Sequence, residues 1–520
     1  MQKKNSAVKI ISNMIFISLL GKILGLIREI LFAKNFGTAD ISGTAFNYAS
    51  NTPNQFLDIM FASAINSSFI PIFNHELAKK DKNSAFDLLN NFLSIIILIS
   101  SLTTFFIIIG SQHIINFLAS GLNTQTKILA SKLLRILAPV LILSGINFTT
   151  SGVLQAFNEF NIPAATSICF NSITIFYYIF LINKFGVYGL TLSFLFGWIA
   201  QVLVQLPFLY KQKYRFHFQI NFKSSALHDI FKLLLPVLIS SWIMPINNII
   251  NSSVASYITG GGNALRIANT VYIIITGTFV LSLNNFVFQK LSKLKANNLI
   301  QDFNLEIKNT LENIFYFLAP LTFILSIFSR EIISILFERG QFDVNSTILT
   351  SRALFFYSFG IIGYGIQVIL NSGFYANKNG LVPLFSSVIG VIINFILSFV
   401  LVKFLDIGGP ALASSISISF IAFFMLFVSQ KNNHQLLDKK FYLDIAKILF
   451  SSFCMSVILF FTRNLFLIKY SFNVIYKFLL LALINLFGLL IYILIGFLFK
   501  IKQSVFIKNM IFSKKRVQSK

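Results

Sequence analysis

Gly21-Lys22-Ile23-Leu24-Gly25-Leu26-Ile27-Arg28-Glu29 is the stretch on which the reading of this chain turns. It lies inside an apolar run from Ala7 to Phe32, long enough for a membrane-spanning helix, which needs ~20 apolar residues. Three charged side chains fall in its second half. A charge at bilayer depth costs roughly 2.5–3.5 kcal/mol on insertion scales. Charges at that depth face a water-filled cavity or a charged substrate, so this helix reads as one wall of a polar cavity. At about 100° per residue, Lys22 and Glu29 share one face, while Arg28 lies about 120° from Lys22. Gly21 and Gly25 flank the turn and are candidate hinges that let Arg28 swing toward the same side. The alternatives are a structural ion pair within a helix bundle, or snorkelling toward the membrane surface.

The composition agrees with a membrane location. Of 520 residues, 56% are hydrophobic and only 11% charged, where soluble domains carry about 25% charged residues. The mean hydropathy is +0.77. An all-α polytopic membrane protein follows. The net charge of +25 resides in short loops between apolar runs, which is the positive-inside pattern and argues against nucleic acid as a partner. Cys169 and Cys454 lie in apolar runs and suggest neither a disulfide framework nor a zinc site. The N-terminus, Met-Gln-Lys-Lys before a long apolar helix, reads as an uncleaved first span.

Fourteen spans are expected, at about 7–33, 44–74, 91–118, 128–156, 161–183, 186–210, 229–257, 264–291, 312–338, 348–375, 381–404, 409–430, 442–466 and 473–499. Lysines cluster around 79–82, 211–223, 290–308, 431–440 and 500–520, in every second loop and the tail. That bias places both termini in the cytoplasm. An internal repeat is visible. Ser151-Gly152, Pro163 and Phe185-Gly-Val-Tyr-Gly189 find counterparts in Ser372-Gly373, Pro383 and Ile407-Gly-Gly-Pro410, six spans later. Two six-helix lobes of like orientation are expected, at 1–228 and 229–440, with an added helix pair at 441–500 and a basic cytoplasmic tail at 501–520.

Other polar features sit inside the expected spans. The seventh contains Pro236, Pro245, Asn247, Asn248 and Asn251, the mark of a broken helix lining a cavity or of a packed proline kink. Thr259-Gly-Gly-Gly-Asn263 follows, a hinge or a tight turn, with Gly261 at its centre. Arg266 opens the eighth span, which also carries Asn269, Asn284 and Asn285. No nucleophile–base pair, metal cluster or carboxylate dyad appears, and the five histidines are scattered. A transporter without cofactor or metal is expected, and not an enzyme.

Taken together, these stretches resemble the lipid II flippase (MurJ/MviN) family of the multidrug, oligosaccharidyl-lipid and polysaccharide exporter superfamily. The resemblance rests on Gly21–Glu29, Thr52-Pro-Asn54, Ser68-Phe-Ile-Pro-Ile-Phe73 and Ala156-Phe-Asn-Glu-Phe-Asn-Ile-Pro163. It continues through Gln205-Leu-Pro207, Phe337-Glu-Arg-Gly-Gln-Phe342, Ser351-Arg-Ala-Leu354 and Ser372-Gly-Phe-Tyr375. It implies two lobes around a cationic cavity, a lipid-tail groove formed by the last two spans, and transfer of lipid II across the bacterial cytoplasmic membrane by alternating access, for cell-wall synthesis. Lipid II, bulk membrane lipids and peptidoglycan-synthesis enzymes are the partners it suggests. The alternatives are a flippase for another polyprenyl-diphosphate sugar, or a scaffold that no longer transports.

The family's first-span motif maps onto Lys22, Gly25, Arg28 and Glu29, with Lys22 where Arg is usual. Lysine keeps the charge but loses bidentate phosphate geometry. Family cavity arginines map onto Leu57, Asp58 and Thr270, and family acids onto Thr44 and Ile273. Arg266, one turn before Thr270, is the expected partial replacement. The expected substrate-binding set is Lys22, Arg28, Glu29, Arg266, Asn269 and Asn248, with hinges at Gly21, Gly25, Pro245 and Gly261.

Overall fold

A computed structural model describes residues 2–57, 65–79, 82–232, 242–377, 379–432, 437–466 and 473–507. Asp58, Pro236 and the basic tail after residue 507 lie outside these residues. The described residues are helical, with short connections, and divide into two compact units.

The first unit holds residues 1–263 and 339–342. Its helices are α1 (Gln2–Phe36), α2 (Ile41–Leu57), α3 (Ile70–Lys79, preceded by a π-helical turn, Ile65–Phe69), α4 (Lys82–Leu118) and α5 (Thr124–Leu137). Then come α6 (Val140–Ala156), α7 (Asn161–Phe180), α8 (Ile182–Lys211) and α9 (Ile243–Ala255). Helix α1 packs on α7, α7 on α8, α2 on α5, and α6 on both α4 and α8. Asn123 caps α5, its Oδ1 accepting from the Thr126 N–H at 2.8 Å. Pro139 between α5 and α6 has no N–H to continue the ladder, and the pair bends by 42° there.

The interior of this unit combines aromatic clusters with polar links. Phe69 stacks on Phe92 with ring centroids 4.5 Å apart. Gln205 of α8 is fully buried: it accepts from Thr150 and Ser151 of α6 at 2.9 and 3.1 Å and donates to Asn147 Oδ1 at 2.6 Å. The buried amide is satisfied from a neighbouring helix, as a membrane interior requires. This accounts for the polar residue in the Gln205-Leu-Pro207 motif.

The second unit holds residues 264–338 and 343–520. Helix α10 (Gly261–Ala296) enters it after its first turn. There follow α11 (Ile300–Ile327), α12 (Ser329–Phe337), α13 (Val344–Ser358), α14 (Ile361–Ala376), α15 (Leu381–Leu405), α16 (Gly408–Asn432), α17 (Lys439–Phe466) and α18 (Val474–Leu498). Helix α16 packs on α13, α14 and α15, and α11 on α14 and α17, with α18 against α17. The α13–α14 pair bends by 47° at Gly360, where a Cβ would come within 3.0 Å of the Ser415 backbone.

The internal repeat has a conformational counterpart. Gly186 (φ +55°) and Asp406 (φ +54°) are left-handed residues that each separate one helical segment from the next. They stand at the same distance, 23 residues, from Pro163 and Pro383. Both prolines sit in the first turn of a helix, where no N–H partner is lost.

Nine helices are long and apolar enough to cross a membrane among the described residues, or eleven with the two bent pairs. Of the other expected spans, 44–74 and 229–257 include undescribed residues, and 7–33 is helical within α1 but carries Lys22, Arg28 and Glu29. The chain is a multi-pass membrane protein. Leu98, Leu102, Phe105 and Phe106 on α4 are exposed, as lipid-facing residues are.

Candidate functional site

Helix α1 runs as one helix through Gly21 and Gly25. A Cβ on Gly21 would strike the Ser167 hydroxyl of α7, and one on Gly25 would lie 3.6 Å from Asn171 Nδ2. Gly21 therefore lets α1 and α7 approach closely, as small residues do between membrane helices, while a Cβ at Gly25 would make ordinary contact. Gly21 also leaves its carbonyl accessible, and Asn171 Nδ2 donates to it at 3.1 Å.

This close approach fixes Arg28. Its Nη1 donates to Asn171 Oδ1 at 3.1 Å, and its Nη2 to Glu29 Oε1 at 2.8 Å. The guanidinium carbon lies 5.2 Å from the Phe170 ring centroid and 5.5 Å from that of Phe194. Phe170 and Phe194 pack edge-to-face at 4.9 Å, so the cation covers a rigid aromatic pair. Each such cation–π contact contributes about 0.5–2 kcal/mol, more as water is excluded. The Arg28 side chain is 22% exposed and that of Glu29 8%. Of the five N–H donors of a guanidinium, these bonds to described residues engage two. The result is a held, partly accessible cation with planar donor geometry, suited to a phosphate.

Lys22 is exposed on α1 while Glu29 faces the interior of the unit, so the helical face they share is buried at one end only. Asn248 is exposed on α9, and Pro245 is buried there. Gly261 is buried and opens α10, its N–H donating to Ile258 O at 2.8 Å. Arg266 and Asn269 are half-buried on the part of α10 that belongs to the second unit. Arg266 O accepts from the Thr270 hydroxyl at 2.9 Å, one turn on, as the spacing implies. The structure thus joins Arg28 and Glu29 in one cluster within the first unit. The Leu57 side chain is outside the description, and Ile273 is exposed.

The glycine triplet forms a closely packed turn in the first unit. Gly260 has φ +74°, and a Cβ there would lie 2.9 Å from Thr38 Oγ1. Asn263 Nδ2 donates to Thr38 O at 2.8 Å and to Thr44 Oγ1 at 3.2 Å. Thr44, at the position of a family acid, therefore has a neutral role in this turn. The Tyr48 hydroxyl donates to Ser252 O at 2.8 Å. The 339–342 segment packs here too: the Gln341 N–H donates to Lys34 O at 2.8 Å, and Gly340 (φ +62°) abuts the Lys34 backbone.

Asn171, Phe170 and Phe194 were not singled out from the sequence. The available signal was one amide in the apolar run Ile168-Cys-Phe-Asn171, which needs a polar partner in a membrane.

Residues 32–481 match the family described as lipid II flippase MurJ. The chain belongs to the lipid II flippase family. A probable lipid II flippase of Buchnera aphidicola (subsp. Baizongia pistaciae) is 27% identical over 90% of this chain and 92% of its own length. A lipid II flippase of Thermosipho africanus is 28% identical over 78% of this chain and 82% of its own. Among solved structures, a lipid II flippase in an inward closed conformation superposes with a TM-score of 0.79, at 26% identity, covering 96% of this chain and 99% of its own. An inward-facing multidrug transporter of the MATE family shares the fold, with a TM-score of 0.69 at 14% identity over 82% of this chain and 98% of its own. The flippase-family match begins four residues after Arg28, so the α1 cluster adjoins it.

Proposed function

We propose that this chain flips lipid II, the lipid-linked peptidoglycan precursor, from the cytoplasmic to the outer leaflet by alternating access. The observation that carries the reading is the family match over residues 32–481. The geometry of Arg28 supplies the chemistry. Lipid II presents a diphosphate, and a guanidinium already held by Asn171, Glu29 and two aromatic rings loses little side-chain freedom when it binds one. Its partial burial lowers the local dielectric and strengthens each charge-assisted bond. Glu29 keeps the cluster near neutrality without substrate, so an anion is attracted but also released.

Lys22 adds an exposed point charge on the same helix. Arg266, Asn269 and Asn248 are further proposed headgroup contacts, and Arg266 takes over part of the charge absent at Thr270. Gly21, Gly25, Pro245 and Gly261 are proposed to absorb the backbone changes of alternating access. Helices α17 and α18 are assigned the lipid tail. The protein is placed in the bacterial cytoplasmic membrane with both termini inside, where peptidoglycan-synthesis enzymes are its proposed partners. A unit charge crossing the field gains ~2.3 kcal/mol per 100 mV, so the membrane potential favours one orientation of an empty cationic site.

The test is rescue of a strain depleted of its own lipid II flippase. Growth on expression of this chain is expected. Correct membrane insertion without growth contradicts the proposal and points to another lipid-linked sugar or to a non-transporting scaffold.

A further inference from the structure

The second unit contains a cavity of about 320 Å³ among α12, α17 and α18. Its lining includes both signs of charge: Arg330, Arg463 and Lys477 against Glu331 and Glu338. Two of these groups are committed to each other, with Arg463 Nε donating to Glu331 Oε1 at 2.7 Å. Glu338 accepts from the Thr347 hydroxyl at 2.9 Å. The Arg330 and Lys477 side chains form no ion pair among the described residues, and Glu331 Oε2 is buried without a hydrogen-bond donor among them. Accessible charges of both signs in one cavity, Arg330 and Lys477 beside Glu338, suit a ligand that carries both.

The surroundings define the rest of that ligand. Phe478 and Leu479, directly after Lys477, are 55% and 51% exposed, and Leu483, Leu486 and Leu490 continue an exposed apolar strip along α18. The cavity thus opens beside a lipid-facing helix. Its volume is at the small end for ligand sites and suits a compact headgroup, not a disaccharide peptide.

We propose that this cavity binds the headgroup of a phospholipid bearing a primary ammonium next to its phosphate, that is, an ethanolamine phospholipid. The phosphate lies between Arg330 and Lys477, the ammonium donates to Glu338, and the acyl chains follow the exposed apolar strip of α18. In the proposed orientation this is an outer-leaflet lipid, distinct from the transported one. The site does not depend on the identity of the transported lipid.

The test uses the full-length purified protein and equal mole fractions of ethanolamine, glycerol and choline phospholipids, with native mass spectrometry to count retained lipids. Wild type is expected to retain the ethanolamine lipid about tenfold over the other two. Arg330→Gln combined with Lys477→Gln is expected to lower retention about tenfold, and Glu338→Gln to remove the preference over the glycerol lipid. Lys477→Arg, which keeps the charge, is expected to retain the lipid. Equal retention of all three lipids by wild type overturns the proposal. So does displacement of the lipid by millimolar inorganic phosphate, which identifies a simple anion site. A Lys477→Arg variant as impaired as Lys477→Gln also overturns it, since the role would then be packing.

Discussion

Asn171 joins two features of α1 at once: its Oδ1 accepts from Arg28 at 3.1 Å while its Nδ2 donates to the Gly21 carbonyl at 3.1 Å. The amide thereby sets both the spacing of α1 against α7 and the direction of the guanidinium. Replacing it with leucine keeps the volume but removes both bonds, and a hydrogen bond to a charged group contributes about 1.5–3 kcal/mol. Asn171→Leu is expected to lower lipid II transport at least about tenfold while leaving the protein folded. Transport measured beside a thermal melt separates the two effects.

Gly21 faces Ser167, whose hydroxyl stands where a Cβ would go. Gly21→Val is expected to force α1 and α7 apart at a cost of about 1–3 kcal/mol, seen as a lower melting temperature. A Ser167→Ala change in the same chain relieves part of the clash and is expected to recover part of the loss.

Gln205 satisfies Thr150, Ser151 and Asn147 together. Gln205→Leu takes the partner from Ser151 and from Asn147 Oδ1, while Thr150 keeps the Ile146 carbonyl at 2.8 Å. Bonds between membrane helices average about 0.6 kcal/mol, so losing two predicts destabilisation on the order of 1–2 kcal/mol in a detergent unfolding assay. Transport by the surviving folded fraction is expected to be normal.

Asp343 caps α13, accepting from the Ser346 N–H at 2.8 Å, and that backbone bond holds its carboxyl below the usual carboxylate range. A carboxyl depressed in the folded state stabilises above its unfolded pKa, about 3.9, and that contribution is lost as pH falls through the lower folded value. The cap is therefore constant from pH 5 to 8 and weakens only in strong acid. Asp343→Ala is expected to cost about 1 kcal/mol at neutral pH, while Asp343→Asn keeps the cap and removes its acid sensitivity. Thermal melts across pH check both.

Lys22 and Arg266 carry separate expectations. Lys22→Arg restores the guanidinium usual in the family and is expected to support growth. Arg266→Ala is expected to slow growth in the rescue assay, and wild-type growth would show that Arg266 does not replace the charge absent at Thr270.

The sparseness of charge made the membrane class readable from sequence: Lys22, Arg28 and Glu29 in an apolar run, and lysines clustered in every second loop, are long-range composition signals. The turn at the glycine triplet was readable too: Gly260 sits where the backbone is left-handed, a conformation that glycine adopts without penalty. The environment of Arg28 was not readable, because Phe170, Asn171 and Phe194 lie more than a hundred residues away and meet it only through helix packing. Helical periodicity placed Lys22 and Glu29 on one face. It did not show that Glu29 is buried while Lys22 stays exposed.

The central claim, that Arg28 is the held cation acting on the lipid diphosphate, is tested most directly in proteoliposomes. Purified protein is reconstituted with fluorescently labelled lipid II, and a membrane-impermeant quencher reports the leaflet. The account predicts transfer by wild type, none by Arg28→Ala, and weakened transfer by Arg28→Lys, which keeps the charge without the planar donors. Transfer by Arg28→Ala at the wild-type rate would contradict it.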